Sequence, residues 1–333
     1  MSGPVKILLS EPLVDAVDGE ALNELRQLGE VQLSPSSSED VLSTEVSNAA
    51  VLITRGAPVT RRIIQSSRML KVICQIGAGT DNIDLQAASE MGIFVVNAPA
   101  LNSVSVAEHT FALILALAKN LFRFDSELRA GNPGIRDELL PNNIELAGKT
   151  IGIIGLGATG VEVARLAKAM GMRILGFDPY VTEERFDAAS AKSTDLKTLL
   201  ETSDVVTLHV PLGTETRGLI GRRELALMKE GSFLINCARG GIVDEEALSQ
   251  ALDSRHLAGA GIDVFGKEFD PSNPLFKNPH AIVTPHVAGH TKEARMRIMG
   301  SLVTDIRLAL AGGTPNNLVN RSALYARNHP PQP

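Results

Sequence analysis

The stretch TIGIIGLGATGVEVARLAKAMGMRILGFDPY, Thr150 to Tyr180, decides how the rest of the chain is read. A short apolar run leads into Gly155, Gly157 and Gly160. An amphipathic segment follows, and a second apolar run ends on Asp178. The order is strand, glycine turn, helix, strand, with the spacing G-x-G-x-x-G. Here the first glycine permits the turn, the second lets a pyrophosphate approach the backbone, and the third lets helix and strand pack. The helix N-terminus then offers free N–H groups and a partial positive charge to phosphates. Asp178 lies where a carboxylate accepts hydrogen bonds from the adenosine ribose, and it would repel a 2′-phosphate. The stretch predicts a dinucleotide site that prefers NAD to NADP.

Working outward, βα alternation continues on both sides. Downstream, RILGF, VVTLHV, SFLIN, AGAGIDVF and AIVTP join TIGIIG as six candidate strands of one sheet. Upstream, VKILLS, VQLS, AAVLITRG, KVICQIG and GIFVVNAP alternate with segments of helical spacing such as DGEALNELRQLG and DLQAASEMG. The expected class is therefore α/β with two doubly wound parallel sheets. Residues 103–129 read as one long apolar helix, AGNPGIRDELLPNNIELAG as a loop, and 291–313 as a second long helix. The final residues, 326–333, read as a disordered tail.

Composition narrows the function. The chain has 333 residues, 44% hydrophobic and 21% charged, with a formal net charge of −6. An acidic chain of this kind argues against a nucleic-acid partner. Two cysteines, Cys74 and Cys237, lie far apart without a CxxC pair, so neither a disulfide framework nor a metal site is expected. The longest smooth apolar run, FALILALA, is too short to cross a bilayer, and the start MSGPVKILLSEP lacks the apolar core of a secretory leader. A cytoplasmic protein without a membrane partner is expected.

Three ionisable residues fall just past the carboxyl ends of candidate strands, where open α/β sheets place their chemistry: Arg239, Glu268 and His286. Each has a plain structural explanation, as a cap, a solvated loop acid or a turn residue. Taken together beside a nicotinamide they suit one reaction. Arginine presents a planar fork to a carboxylate, histidine moves a proton near neutral pH, and glutamate stabilises and orients the imidazolium. The set suits interconversion of a 2-keto acid and a 2-hydroxy acid.

At this point the chain resembles the D-isomer-specific 2-hydroxyacid dehydrogenases, most closely their D-3-phosphoglycerate dehydrogenase branch. The carrying segments are GAGTDNID (77–84), NSVSVAEHT (102–110), GLGATG (155–160), LHVPLGTET (208–216), NCARGGIVDEEAL (236–248), GIDVF (261–265) and TPHVAGHT (284–291). The resemblance implies a catalytic set of Arg239, Glu268 and His286. It implies substrate contacts at Arg55, Gly77, Ala78, Gly79, Arg239 and His286. It places NAD contacts at Gly155, Gly157, Ala158, Thr159, Gly160, Asp178, His209, Pro211, Thr216, Ala238, Asp263 and Gly289.

It further implies that an NAD-binding domain, 103–291, is inserted into a flavodoxin-like substrate domain made of 1–102 and 292–325, and that the protein is a homodimer. The chain departs from the family pattern in four places. Ala158-Thr159 stands where Arg-Ile is frequent, and Phe269 stands where proline commonly follows the glutamate. Gln75 stands where related phosphoglycerate enzymes can carry arginine, and Arg136 is the only basic residue of 132–143. The expected substrate is a small 2-keto or D-2-hydroxy acid, with 3-phosphoglycerate and phosphohydroxypyruvate as one pair. An unphosphorylated acid of the hydroxypyruvate or glyoxylate type is the alternative. From another class, an NAD(H)-sensing interaction protein uses the same fold.

Overall fold

The computed structural model describes residues 4–11, 19–268 and 270–328, so Phe269 and 329–333 lie outside it. The chain divides into two compact units, one of residues 1–102 with 290–333 and one of residues 103–289.

The first unit holds five parallel strands: β1 (Lys6–Leu9), β2 (Glu30–Leu33), β3 (Val51–Thr54), β4 (Val72–Gln75) and β5 (Phe94–Val96). Their order is β2-β1-β3-β4-β5, the flavodoxin-like arrangement. Successive side chains of these strands enter different cores, as the pleat requires. Ile7, Val51, Ile53, Val72 and Cys74 pack with Leu25, Ile298, Leu302 and Ile306 on one face. Leu8, Leu52, Ile73 and Val95 pack with Leu42, Ile63, Ile64 and Ala87 on the other. The helix Lys292–Leu310 thus returns to a sheet built almost 200 residues earlier in the chain. Burial on both faces explains why the inner strands β1, β3 and β4 read as continuous apolar runs, while the edge strand β2 is only partly buried.

The second unit holds seven parallel strands: β6 (Thr150–Ile154), β7 (Arg173–Phe177), β8 (Lys192–Ser193), β9 (Val205–Leu208), β10 (Phe233–Asn236), β11 (Gly259–Ile262) and β12 (Ala281–Val283). They run β12-β11-β10-β9-β6-β7-β8, with the strand order reversing between β6 and β9. The α/β class is borne out for both sheets. All six expected strands form, and the unexpected one is β8. It has two residues, both exposed, so it carries no hydrophobic signal to read.

Three local expectations are corrected. The helix expected over 103–129 is two, Ser103–Ala118 and Leu121–Arg129, bent by 61°. Asn120 takes a left-handed conformation (φ 51°) between them, which asparagine tolerates better than most residues. No single helix among the described residues is long and apolar enough to cross a membrane. The loop expected after residue 130 contains a short helix, Ile135–Leu139, which buries Ile135 and Leu139. Of the tail expected over 326–333, residues 326–328 belong to the helix Arg321–Asn328, and 329–333 lie outside the described residues. Alanine, leucine and arginine favour that helix, and it buries Leu324.

Candidate active site

The glycine turn shows how the second unit is made ready for a dinucleotide. Gly155 has φ +94°, and a side chain there would strike the His209 backbone. A Cβ on Gly160 would lie 2.0 Å from the Gly155 carbonyl oxygen, so helix and turn can touch only because residue 160 is glycine. Gly157 differs, since nothing lies within 4 Å of where its Cβ would be. It opens the helix Ala158–Ala169 without a side-chain cap, leaving N–H groups at a bare helix end. An open cradle at a helix N-terminus fits a pyrophosphate.

Asp178, just past β7, is bound into the same turn. Its Oδ2 accepts Leu156 N at 2.8 Å and its Oδ1 accepts Tyr180 N at 3.0 Å. Arg185, which had no sequence signal, donates Nε to the Leu156 carbonyl at 2.9 Å. Tyr180 OH and Glu215 are hydrogen-bonded, joining the segment after β7 to the segment after β9. Within the latter, Thr216 Oγ1 donates to Pro211 O at 2.6 Å and accepts Gly213 N at 2.8 Å, closing the loop on itself. Thr159 Oγ1 donates to Ser103 Oγ at 3.3 Å. His209 is half-buried, with Nε2 2.9 Å from Thr207 Oγ1, and burial pushes its imidazole down to about 3. It is a neutral ring at physiological pH.

The expected catalytic trio lies at the carboxyl ends of three neighbouring strands. Arg239 follows β10, Glu268 follows β11 and His286 follows β12. Glu268 Oε1 stands 3.2 Å from His286 Nδ1, with both side chains partly open to solvent. The same oxygen lies 3.5 Å from Phe265 N. The turn at Arg239 is fixed by Asn236, which is 1% exposed. Asn236 Nδ2 donates to Arg239 O at 3.0 Å, and its Oδ1 accepts Ala238 N at 3.0 Å. Arg239 Nη1 donates to Ala238 O at 2.7 Å. Gly240 sits directly against the Glu268 loop, where a Cβ would lie 1.9 Å from Phe265 O.

His286 occupies an unusual backbone state, φ +55°. That conformation costs a residue with a Cβ about 1–2 kcal/mol. Asp263 holds it there. Its carbonyl accepts His286 N at 2.8 Å, while its carboxylate accepts Thr284 Oγ1 at 2.5 Å, Val287 N at 2.9 Å and Ala288 N at 2.9 Å. Asp263 is wholly buried, so the carboxylate expected to face cofactor is directed into the 284–288 loop. Gly289, beyond that loop, is half-buried. His109 Nε2 reaches Thr284 Oγ1 at 3.1 Å, a partnership across 175 residues with no local signal. Neither cysteine offers a nucleophile. Burial pushes the Cys237 thiol up to about 12 and the Cys74 thiol well above its usual value.

In the first unit, Arg55 follows β3, and Gly77, Ala78 and Gly79 follow β4. Gly77 has φ +136°, and its carbonyl accepts Ala98 N at 2.8 Å. Asn97 Nδ2 donates to Ala78 O at 2.5 Å. Glu11 Oε1 accepts both Arg55 N and Gly56 N at 2.9 Å. Gln75 is buried, and its amide donates to Arg55 O at 2.5 Å and accepts Asn82 Nδ2 at 3.3 Å. The glutamine that replaces an expected arginine is thus used to hold the Arg55 backbone.

Comparison with known proteins agrees with this geometry. Residues 111–288 match the family described as D-isomer specific 2-hydroxyacid dehydrogenase, NAD binding domain. The chain is 41% identical over 319 residues to D-3-phosphoglycerate dehydrogenase of Methanocaldococcus jannaschii, covering 95% of this chain and 59% of that protein. The same enzyme of Archaeoglobus fulgidus is also 41% identical, with 95% and 59% covered. The chain therefore spans about three-fifths of the length of these relatives. Among solved structures, D-lactate dehydrogenase from Aquifex aeolicus complexed with NAD and lactic acid superposes with a TM-score of 0.84. It is 30% identical, with 95% of this chain and 99% of that chain covered. A glyoxylate reductase from Paecilomyes thermophila superposes with a TM-score of 0.83 at 30% identity, covering 97% and 100%. The glycine turn, the strand order and the matched segment together mean that this chain belongs to the D-isomer specific 2-hydroxyacid dehydrogenase family, and that NAD is the cofactor of its second unit.

Proposed function

We propose that the protein interconverts a 2-keto acid and a D-2-hydroxy acid. The observation that carries this reading is the Glu268–His286 pair at 3.2 Å, on loops adjacent to the one bearing Arg239. NAD(H), when bound, supplies or accepts the hydride. Gly155, Gly157, Ala158, Thr159 and Gly160 form its pyrophosphate cradle, with Asp178 at the adenosine ribose. His209, Pro211, Thr216, Ala238 and Gly289 are further cofactor contacts, and Asp263 acts by shaping the 284–288 loop.

Arg239 holds the substrate carboxylate and polarises the adjacent carbonyl. In the reductive direction His286 gives a proton from Nε2 to the carbonyl oxygen, which becomes the hydroxyl. Glu268, facing Nδ1, fixes the ring and balances the imidazolium charge. The N–H groups at Gly77, Ala78 and Gly79, with Arg55, are the substrate contacts of the first unit.

The similarity to two D-3-phosphoglycerate dehydrogenases supports phosphohydroxypyruvate and 3-phosphoglycerate as the substrate pair. A second reading, an unphosphorylated acid, rests on Gln75, a buried neutral residue where a phosphate would favour arginine. NADH oxidation against phosphohydroxypyruvate, hydroxypyruvate, glyoxylate and pyruvate tests both. A clear preference for the phosphorylated acid supports the first, and the reverse order supports the second. NADH binding without turnover on any of them would instead favour a sensing role.

Self-association is part of the same proposal. The helix Leu121–Arg129 buries none of its residues, and Leu121, Phe122 and Leu128 are 54%, 61% and 58% exposed. Such an apolar face is a common site of dimerisation. Sedimentation equilibrium, with Phe122→Glu expected to yield monomers, is the check. A cytoplasmic location is proposed on the acidic composition and two unpaired, buried cysteines.

A further inference from the structure

We propose that Glu245 is a positioning residue for the reaction, acting through Glu268. The inference rests on the assignment of Glu268 and His286 above. Glu245 opens the helix Glu245–Asp253, six residues beyond Arg239. An acid in a first helical turn has an ordinary explanation, since it complements the positive end of the helix dipole. Its neighbour Glu246 fits that explanation. Glu246 is exposed and reaches only along its own helix, accepting Gln250 Nε2 at 3.2 Å.

Glu245 is directed elsewhere. It is half-buried, and its two oxygens take partners on either side of Glu268. Oε1 accepts Gly266 N at 2.6 Å, and Oε2 accepts Asn273 Nδ2 at 2.5 Å. Asn273 is itself fixed, being buried and capping Pro274–Lys277 through Leu275 N at 3.0 Å. One carboxylate therefore clamps both ends of the loop that carries the general-acid partner. Charge-assisted bonds of this length are stronger than neutral ones, which suits a clamp made of two.

The same carboxylate sits on the segment that carries Arg239. That segment and the Glu268 loop already touch at Gly240, where a Cβ would meet the Phe265 and Gly266 backbone. Glu245 completes a closed circuit: Arg239 and Gly240 against Phe265, then Gly266 to Glu245, and back along the chain. A cleft lined by Gly241, Glu245, Gly266, Lys267 and Asn273 lies beside this loop, whose flanks at Phe265 and Leu275 are anchored in the core, so the clamp acts on the stretch between them. Without the clamp, the carboxylate of Glu268 is free to leave Nδ1 of His286.

The test is a double-mutant cycle between positions 245 and 268, read as kcat/KM for 2-keto acid reduction across pH. Glu245→Ala is expected to lower kcat/KM about tenfold, mostly in kcat with KM little changed. NADH affinity, measured by fluorescence, is expected to stay within about twofold. In a Glu268→Gln background the same substitution should cost nothing further. Glu245→Gln retains an acceptor for Gly266 N but presents an N–H to Asn273, so it should fall between, and it serves if Glu245→Ala does not fold. Glu246→Ala should match the parent. A loss that persists undiminished in the Glu268→Gln background, or that tracks weaker NADH binding, overturns the inference. Near-native kcat/KM in Glu268→Gln alone would remove the catalytic assignment on which it stands.

Discussion

Nδ1 of His286 faces Glu268 Oε1 at 3.2 Å, although 17 intervening residues and a strand separate them in the chain. In the proposed mechanism Nε2 exchanges the proton while Glu268, at Nδ1, gives the imidazolium a counter-charge. Replacing Glu268 with glutamine keeps the shape and removes the charge. The expected outcome is a fall in kcat/KM of about 10–100-fold, carried mostly by kcat. Steady-state kinetics between pH 5 and 10 is the check.

Arg239 is placed by Asn236, whose side chain bridges the turn on both sides. Arg239→Ala should cost about 2–5 kcal/mol in kcat/KM, because a charge-paired anchor for the carboxylate is lost. Arg239→Lys restores charge without the planar fork and should recover only part of it. Equal kcat/KM for all three forms would contradict the assignment.

Asp178 accepts a backbone bond through each oxygen while facing the glycine turn. Asp178→Ser should weaken NADH binding by about 1.5–3 kcal/mol, the worth of a charged hydrogen bond. Removing the negative charge should also improve NADPH relative to NADH. Fluorescence titration with both coenzymes reads the two effects together, and an unchanged NADH/NADPH ratio would contradict the role.

His209 gives a pH prediction of definite sign. Its folded value, about 3, lies below the ordinary 6.5, so between these values the unfolded chain binds more protons than the folded one. Stability therefore rises with pH across that window, and His209 destabilises the fold as pH falls from 6.5 towards 3. His209→Gln should flatten the slope most visibly between pH 5 and 6.5, above the range where carboxylates dominate. Urea unfolding at several pH values checks it, and an unaltered slope would contradict it.

What was legible in the sequence depended on how local the cause was. Most of the eleven strands read from apolar runs were legible because burial on both faces imposes such runs. The edge strands Glu30–Leu33 and Ala281–Val283 are only partly buried but still carry apolar residues, whereas Lys192–Ser193 pairs at an edge with both residues exposed. The break at Asn120 was missed because apolar residues continue on both sides of it, and the left-handed residue carries no hydrophobic mark. At the candidate site, Arg239, Glu268 and His286 could be named because each lies a few residues past the carboxyl end of a strand. Their supports could not. Asp263, Asn236 and Glu245 work through bonds set by tertiary register, and His109 reaches Thr284 across the unit. Asp263 shows the difference well, since a residue expected at the cofactor is buried and bonded into the 284–288 loop.

The proposed reaction turns on His286 as the proton donor and acceptor at the 2-keto acid. The most direct measurement is NADH oxidation by His286→Asn with the best 2-keto acid, alongside NADH binding. Turnover should fall by about 10²–10⁴-fold with NADH affinity almost unchanged. Turnover within a few-fold of the parent, in a variant that binds NADH normally, would contradict it.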